Sequence, residues 1–309
     1  MQFLDNIFFA LLLAIGIGYF AINVKKLIRN IKLGHDVDRS DNASERWKNM
    51  TMVALGQSKM VKRPVAGFLH IIVYVGFVII NIEVIEIIID GLFGTHRVLS
   101  FMGGFYDVLI GSFEILAFLV LITVIIFWIR RNVTKLGRFA SSDLDGKPRN
   151  DANYILYFEV VLMSLFLLMN AADFHLQNLG IGHYNQAGSF PISQFIAPMF
   201  NGMSEGLVVI IERAAWWLHI AGILVFLNYL YFSKHLHILL AFPNTYFADL
   251  NAKGKLNNLE SVTNEVKLMM DPSADPFAAP ANPDDVPAKF GASDVQDLNW
   301  VQLLNAYSC

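Results

Sequence analysis

Five unbroken apolar runs, at about 3–24, 65–89, 105–128, 154–172 and 214–240, leave this chain few ways to fold. Each is long enough to cross a hydrocarbon core of about 30 Å at a helical rise of 1.5 Å per residue. Lipid offers no hydrogen bonds to a peptide backbone, so each run is expected to be a helix that satisfies its own amides and carbonyls. Composition points the same way: 55% of the 309 residues are hydrophobic and 16% are charged, against about 25% charged in a soluble domain. The expected fold class is therefore all-α: an integral membrane bundle of five transmembrane helices over 1–241, a proline-rich linker over 242–290 and the start of a further helical segment over 291–309.

Loop charges give the expected orientation. The connection after the first run carries ten basic residues, from Lys25 and Lys26 to Lys62 and Arg63, and the connection after the third carries Arg130, Arg131, Lys135, Arg138, Lys147 and Arg149. The connection after the second has Arg97, and the one after the fourth has no Lys or Arg until Arg213. Positive-inside bias places the two basic connections in the cytoplasm, with the N-terminus outside and the C-terminus inside. This is the pattern of a multi-pass protein of the inner, cytoplasmic membrane. The first run has no basic residue before Lys25, unlike a secretory signal, so it is expected to be retained. A net charge of −3 carries no sign of nucleic-acid binding, and a single cysteine, Cys309, excludes a disulfide framework within the chain. In the tail, prolines at 272, 276, 280, 283 and 287 predict an extended linker. Ser293 and Gln296 then read as a capping box ahead of a helix over 294–305.

Four of the eight histidines, His70, His219, His235 and His237, bear on function, because an intramembrane histidine is costly unless paired or coordinated. Read as one continuous helix, the fifth run puts His219 and His237 five whole turns apart, on one face and about 27 Å apart along the axis. They would then serve two sites at different depths, with His235 turned away from that face. His70 near the start of the second run and His237 near the end of the fifth lie at compatible depths, where two imidazoles clamp a b-type haem in a bundle core. Gly67 and Gly76 would let a porphyrin approach the backbone, although glycines that serve ordinary helix packing give the same pattern. For a second haem at His219, the partner that matches best by depth is His175, ahead of His96 and His183. Arg63 and Arg213 are candidate partners for haem propionates; cationic side chains reaching the interface are the plainer alternative. Glu83, Glu86, Glu114 and Glu159 are intramembrane carboxylates, of which Glu83 and Glu86 suit a proton acceptor beside a quinone.

The motifs GQSKMVKRPVAGFLH (56–70) and WWLHIAGILVFLNYLYFSKHLHILLAFPNTYF (216–247) resemble the second helix and the last helix of a membrane cytochrome b family. That family includes the gamma subunit of respiratory nitrate reductase and the membrane part of heterodisulfide-reductase-like iron–sulfur oxidoreductases. The stretch FGASDVQDLNWVQLLNAYSC (290–309) resembles the lead-in to the ferredoxin-type domain fused behind that cytochrome. The resemblance implies that His70, His219 and His237 bind haem b (one haem, with room for a second). It implies that Cys309 is the first ligand of a [4Fe–4S] cluster. It departs from the family in lacking a second histidine on the second helix. One thiolate cannot hold a cluster that needs four, so the cluster is expected in a longer form of the chain, of which this is the N-terminal portion.

The function these readings imply is an oxidoreductase component of a respiratory chain, passing electrons between the quinone pool and cytoplasmic iron–sulfur centres through haem b. Its partners would be membrane lipid, a quinone or quinol, and a cytoplasmic iron–sulfur domain or subunit. Two other readings stay open: a non-redox transporter or assembly protein, suggested by the intramembrane carboxylates, and a membrane anchor without its own cofactor.

Overall fold

In a computed structural model, residues 2–139, 141–182, 184–252, 254–255, 258–273 and 291–308 are described. Cys309, His183 and the proline-rich stretch from 274 to 290 lie outside them. The α-helices are α1 (Gln2–Ile31), α2 (Ala43–Met50), α3 (Pro64–Phe93), α4 (Gly104–Asn132), α5 (Lys147–Leu179), α6 (Ser193–Ile196), α7 (Glu205–Leu230), α8 (His237–Tyr246), α9 (Glu260–Met270) and α10 (Trp300–Ser308). Five of them, α1, α3, α4, α5 and α7, are long and apolar enough to cross a membrane, as the hydropathy pattern requires. The chain divides into two compact units, Met1–Val24 with Gln57–Leu236, and Lys25–Gly56 with His237–Cys309.

In the first unit α5 packs against both α4 and α7, and α4 packs against α3. Most of the core is apolar: Ile110, Phe113 and Ala117 of α4, Phe166 of α5 and Ile220 of α7 are fully buried. The outward faces are equally apolar, with Ile15, Phe105, Val108, Leu218 and Val225 more than half exposed. Helices apolar all round belong in lipid. There burial in protein removes little water from these surfaces, so close packing and polar contacts hold the bundle. Gly91 of α3 shows the packing: a Cβ there would stand 2.5 Å from the ring of Phe9 on α1. Asn6 Nδ2 donates to the Gly91 carbonyl at 2.8 Å, and Asn228 Nδ2 donates to Gly16 O at 3.0 Å. A Cβ on Gly76 would meet Val120 at 2.5 Å, and one on Gly67 would meet the Met60 carbonyl at 2.5 Å. Both glycines serve backbone and helix packing.

The fifth apolar run is not one helix. α7 ends at Leu230, a 3-10 turn follows at Lys234–Leu236, and α8 starts at His237. The break is fastened by Asp151 at the start of α5, which accepts from Tyr229 Oη at 2.6 Å and from the Lys234 amide at 3.2 Å. The five-turn register between His219 and His237 therefore does not exist. Ser233, Lys234 and His235 mark the break, but apolar residues resume at Leu236, so the interruption is short enough to read as part of one run.

The second unit joins segments 200 residues apart in sequence. Arg46 of α2 is fully buried and donates to the carbonyls of Asp41 (2.7 Å), Tyr246 (3.1 Å) and Ala248 (3.0 Å). Trp300 of α10 donates through Nε1 to Val37 O at 3.1 Å, and the His35 amide donates to Leu298 O at 3.0 Å. A Cβ on Gly34 would come within 2.7 Å of the Leu298–Trp300 backbone, so the approach requires glycine. The predicted capping box falls one residue later than expected: Asp294 and Asp297 form it, over the 3-10 turn Val295–Asp297. Asn299 and Gln302 then bond each other's amides reciprocally at 2.9 and 2.8 Å, which starts α10 at Trp300 rather than at 294. Within the expected linker, α8 runs past Pro243 and 260–270 forms α9.

Candidate functional site

The first unit encloses a cavity of about 710 Å³ at the bundle end where α3 gives way to α4, a volume in the range of small-molecule and cofactor sites. The connection that shapes it is built from α3 outward. Gly94 adopts φ +71° to end the helix, a conformation glycine takes without cost. The Asp90 carboxylate then accepts from Thr95 Oγ1 (2.5 Å), the Arg97 amide (2.7 Å) and the Val98 amide (3.1 Å). Glu86 accepts from the Leu99 amide and from Tyr106 Oη, each at 2.9 Å. These bonds hold Arg97 at φ +53°, an unusual conformation for a bulky residue. Its buried guanidinium is thereby aimed inward.

Arg97 is the hub of the cavity wall. Nε donates to Asp173 Oδ2 at 2.6 Å, Nη2 to Asn170 Oδ1 at 2.9 Å and Nη1 to Tyr106 Oη at 3.3 Å, and Nη1 lies 3.9 Å from Glu83 Oε1. The guanidinium also stands 5.0 Å from the Phe190 ring centroid. Burial pulls its pKa down, but Asp173 and Glu83 outweigh burial and hold it above its ordinary value, so it stays charged. The second oxygen of Asp173 meets His96 Nε2 at 3.2 Å. On α7, Glu212 is buried, bonded to Arg213 and to Tyr184 Oη, the latter at 2.9 Å. Burial, and after it the Glu212 carboxylate, pushes the Tyr184 hydroxyl up, so it remains a neutral donor. The opposite wall is aromatic. Phe9 lies 5.2 Å from Trp216 and 5.8 Å from Trp217, and Arg213 sits over the Trp216 ring.

The cavity thus brings together Glu83, Glu86 and Arg213. Of the two glutamates, Glu86 has both oxygens engaged, whereas Glu83, buried, has one oxygen, Oε2, with no partner among the described residues. His96, Arg97, Asp173 and Glu212 complete the wall. The charge pattern singled out Arg97 and Arg213 along the sequence, but nothing in it linked Asp173 or Glu212 to Glu83. Glu114 stays outside the cavity: buried in α4, it accepts from the amides of Ile192 (3.0 Å) and Ser193 (2.9 Å) and clasps the start of α6.

His219 lies in a different place. It is fully buried, its Nδ1 engages Leu162 O at 3.0 Å, and its ring is 5.7 Å from Phe166. It lines a small cavity of about 80 Å³ with Val73, Phe77, Asn81, Glu159 and Phe226. A backbone carbonyl on Nδ1 leaves Nε2 for a ligand, the arrangement seen behind metal-bound imidazoles. The donor chemistry of His219 is therefore that of a haem-iron ligand, while a cavity of about 80 Å³ is well below the roughly 300 Å³ at which cofactor sites begin. His175 is not brought to this level: nine residues beyond Phe166 on α5, it lies roughly 13 Å further along the axis, against Phe200. His70 lies half-buried on α3 in the first unit, Arg63 is exposed just before Pro64, and His237 opens α8 in the second unit.

No protein-family model matches the chain, and no solved structure gives a significant match. Two curated proteins are similar to it over nearly its whole length. A probable iron–sulfur-binding oxidoreductase, FadF, of Bacillus subtilis is 29% identical over 99% of this chain and 38% of its own length. An EtfAB:quinone oxidoreductase of Syntrophomonas wolfei is 23% identical over 89% of this chain and 34% of its own length. The chain spans little more than a third of these relatives, and what it shares with them is a relationship to iron–sulfur oxidoreductases.

Proposed function

We propose that this chain is the membrane electron-transfer part of an iron–sulfur oxidoreductase and exchanges electrons with a quinone in the Glu83–Arg97 cavity. The observation that carries the reading is Glu83, a buried carboxylate with one oxygen unpartnered among the described residues, on the wall of a cavity that also holds the aromatic group Phe9, Trp216 and Trp217. A quinone needs an apolar surface for its ring and a proton-exchanging group at its oxygen, and both are present. Glu83 takes or returns the proton. Arg97 keeps the carboxylate in place. The tryptophans and Phe9 exclude water from the ring. The name of the Syntrophomonas relative supports a quinone as substrate, and that of the Bacillus relative supports an iron–sulfur partner.

In this reading a haem b held by the histidines of this chain would supply one-electron transfer between quinone and cluster. The family resemblance assigns its iron ligands to His70, His219 and His237; His175 is the depth-matched candidate partner for His219, and Arg63 and Arg213 are candidate partners for the propionates. The Leu162 bond to His219 supports the middle one. Cys309 would contribute a cluster ligand in a longer chain.

Two measurements on detergent-purified protein test this. A reduced-minus-oxidised spectrum is expected to show a b-type band that is lost in His70→Ala and His237→Ala; a full band in both variants would discard that ligand pair. Glu83→Gln in the full oxidoreductase is expected to lower quinone-linked turnover by about 10²–10⁴-fold, the usual size of a lost acid–base group. Unchanged turnover would remove Glu83 from the mechanism.

A further inference from the structure

A quinone carries two oxygens at opposite ends of its ring, and Glu83 meets one. The other buried ionisable groups of the cavity wall are spent on the protein. Glu86 accepts from Leu99 and Tyr106, and Glu212 is held by Arg213 and Tyr184. Asp173 is taken by Arg97 and His96, and Arg97 donates to Asp173, Asn170 and Tyr106. Asp90 fastens the α3–α4 connection, Asn6 donates to Gly91 O, and Asp5 and Asn185 are exposed. Trp216 differs from all of these. It is 8% exposed, it lines the cavity, and its ring meets Phe9 at 5.2 Å and the Arg213 guanidinium at 5.3 Å. Its Nε1 has no acceptor among the described residues, whereas Trp128 Nε1 donates to Tyr157 Oη at 3.3 Å and Trp300 Nε1 to Val37 O at 3.1 Å. Nor is that nitrogen walled in by protein, as the side-chain amide nitrogens of Asn170 and Gln177 are. A buried indole N–H ordinarily finds a partner, and the space beside this one is the cavity.

We propose that Trp216 Nε1 donates a hydrogen bond to the second oxygen of the quinone, so that the cavity selects rings carrying an oxygen at each end. The inference rests on the quinone reading above and adds a specificity residue to it. An indole nitrogen is a donor only. It can hold an oxygen but cannot take a proton from it, so the two ends of the ring are handled differently. Glu83 exchanges a proton at one end, and Trp216 anchors the other. The anchor serves quinone and quinol alike, because a carbonyl and a hydroxyl oxygen both accept from an N–H. The indole is itself held in place. Arg213 lies over its ring while giving Nε and Nη2 to Glu212, and Phe9 and Trp217 pack against it. Trp217 is only half-buried, and its ring stands edge-on to both Phe9 and Trp216. A ring with a single oxygen can satisfy Glu83 or Trp216 but not both. It forgoes one hydrogen bond, a difference of about tenfold in affinity.

Trp217 also lines the cavity, so tryptophan fluorescence quenching still reports binding, without any cofactor, when Trp216 is replaced. The probes are para-naphthoquinone, with an oxygen at each end of the ring, and alpha-tetralone, a bicycle of like size with one. The unaltered protein is expected to bind the naphthoquinone about tenfold more tightly than the tetralone. Trp216→Phe keeps a ring against Phe9 and removes the N–H. In it the preference is expected to shrink to less than about twofold, because tetralone can still turn its oxygen to Glu83. An undiminished preference in this variant, whether or not both probes bind more weakly, would overturn the role of Trp216 and leave the quinone site standing. A second measurement needs no variant. The N–H-sensitive indole band in ultraviolet resonance Raman spectra of the unaltered protein is expected to shift with naphthoquinone and to stay in place with naphthalene. No shift with saturating naphthoquinone would overturn the bond. Absence of saturable quenching by naphthoquinone in the unaltered protein would overturn the quinone site itself.

Discussion

Each compact unit of this protein buries an arginine, and the two are held in opposite ways. Arg46 in the second unit spends its donors mainly on backbone carbonyls, those of Asp41, Tyr246 and Ala248, with one bond to the Asp41 carboxylate. Arg97 in the first unit spends its donors on side chains: Asp173, Asn170 and Tyr106, with Glu83 close by. Carbonyls do not titrate, so Arg46 can only hold segments together. Carboxylates carry charge, so Arg97 sets the charge of the cavity wall it belongs to. The same residue type is a staple in one place and an electrostatic hub in the other.

The largest expected effect is on Arg97. Arg97→Ala leaves the Asp173 carboxylate buried without its counter-charge, a loss of about 3–5 kcal/mol, together with loss of quinone-analogue quenching. Chemical denaturation in detergent, and quenching of Trp216 and Trp217 fluorescence by a short-chain quinone analogue entering the cavity these residues line, read the two separately. Arg46→Ala strands carbonyls of the second unit at about 1–3 kcal/mol each and is expected to destabilise that unit while quenching in the cavity persists. Equal loss of quenching in both variants would erase the distinction between staple and hub. Gly91→Ala drives a methyl into the Phe9 ring and is expected to cost about 1–3 kcal/mol, with weaker quenching because Phe9 is a cavity wall. The smallest effect is a pH dependence. The bond to Arg46, set against slight burial, holds the exposed Asp41 carboxyl below its usual range. A depressed pKa stabilises the fold above the unfolded value of about 3.9, and that contribution is lost as pH falls through the lower folded value. Arg46→Ala should remove this acid-range slope from the stability curve of the second unit and leave the rest of the profile unchanged.

The candidate site was partly legible before folding. Glu83 and Glu86 stand out because carboxylates in an apolar run are costly, and Arg97 and Arg213 because basic residues are rare in their connections. Asp173 and Glu212 did not stand out, since each sits near the end of an apolar run, where a charge is cheap. Which of the two glutamates keeps an oxygen without a partner among the described residues was also hidden, because the donors that occupy Glu86 come from Leu99 and Tyr106 on the far side of a connection.

What the sequence determined alone is the set of five helices fit for a membrane, because lipid compatibility is a property of about 20 consecutive residues and can be read along one dimension. Only the tertiary structure decided that the last apolar run breaks at Tyr231, that His219 and His237 belong to different helices, and that residues 25–56 fold with the tail. It also decided which end of the bundle gathers the ionisable groups. The physical reason is that helices apolar on every face carry no stripe to fix their rotation. Their settings come from contacts such as Gly91 against Phe9 and from a few polar bonds between distant residues, and neither leaves a periodic trace in the chain.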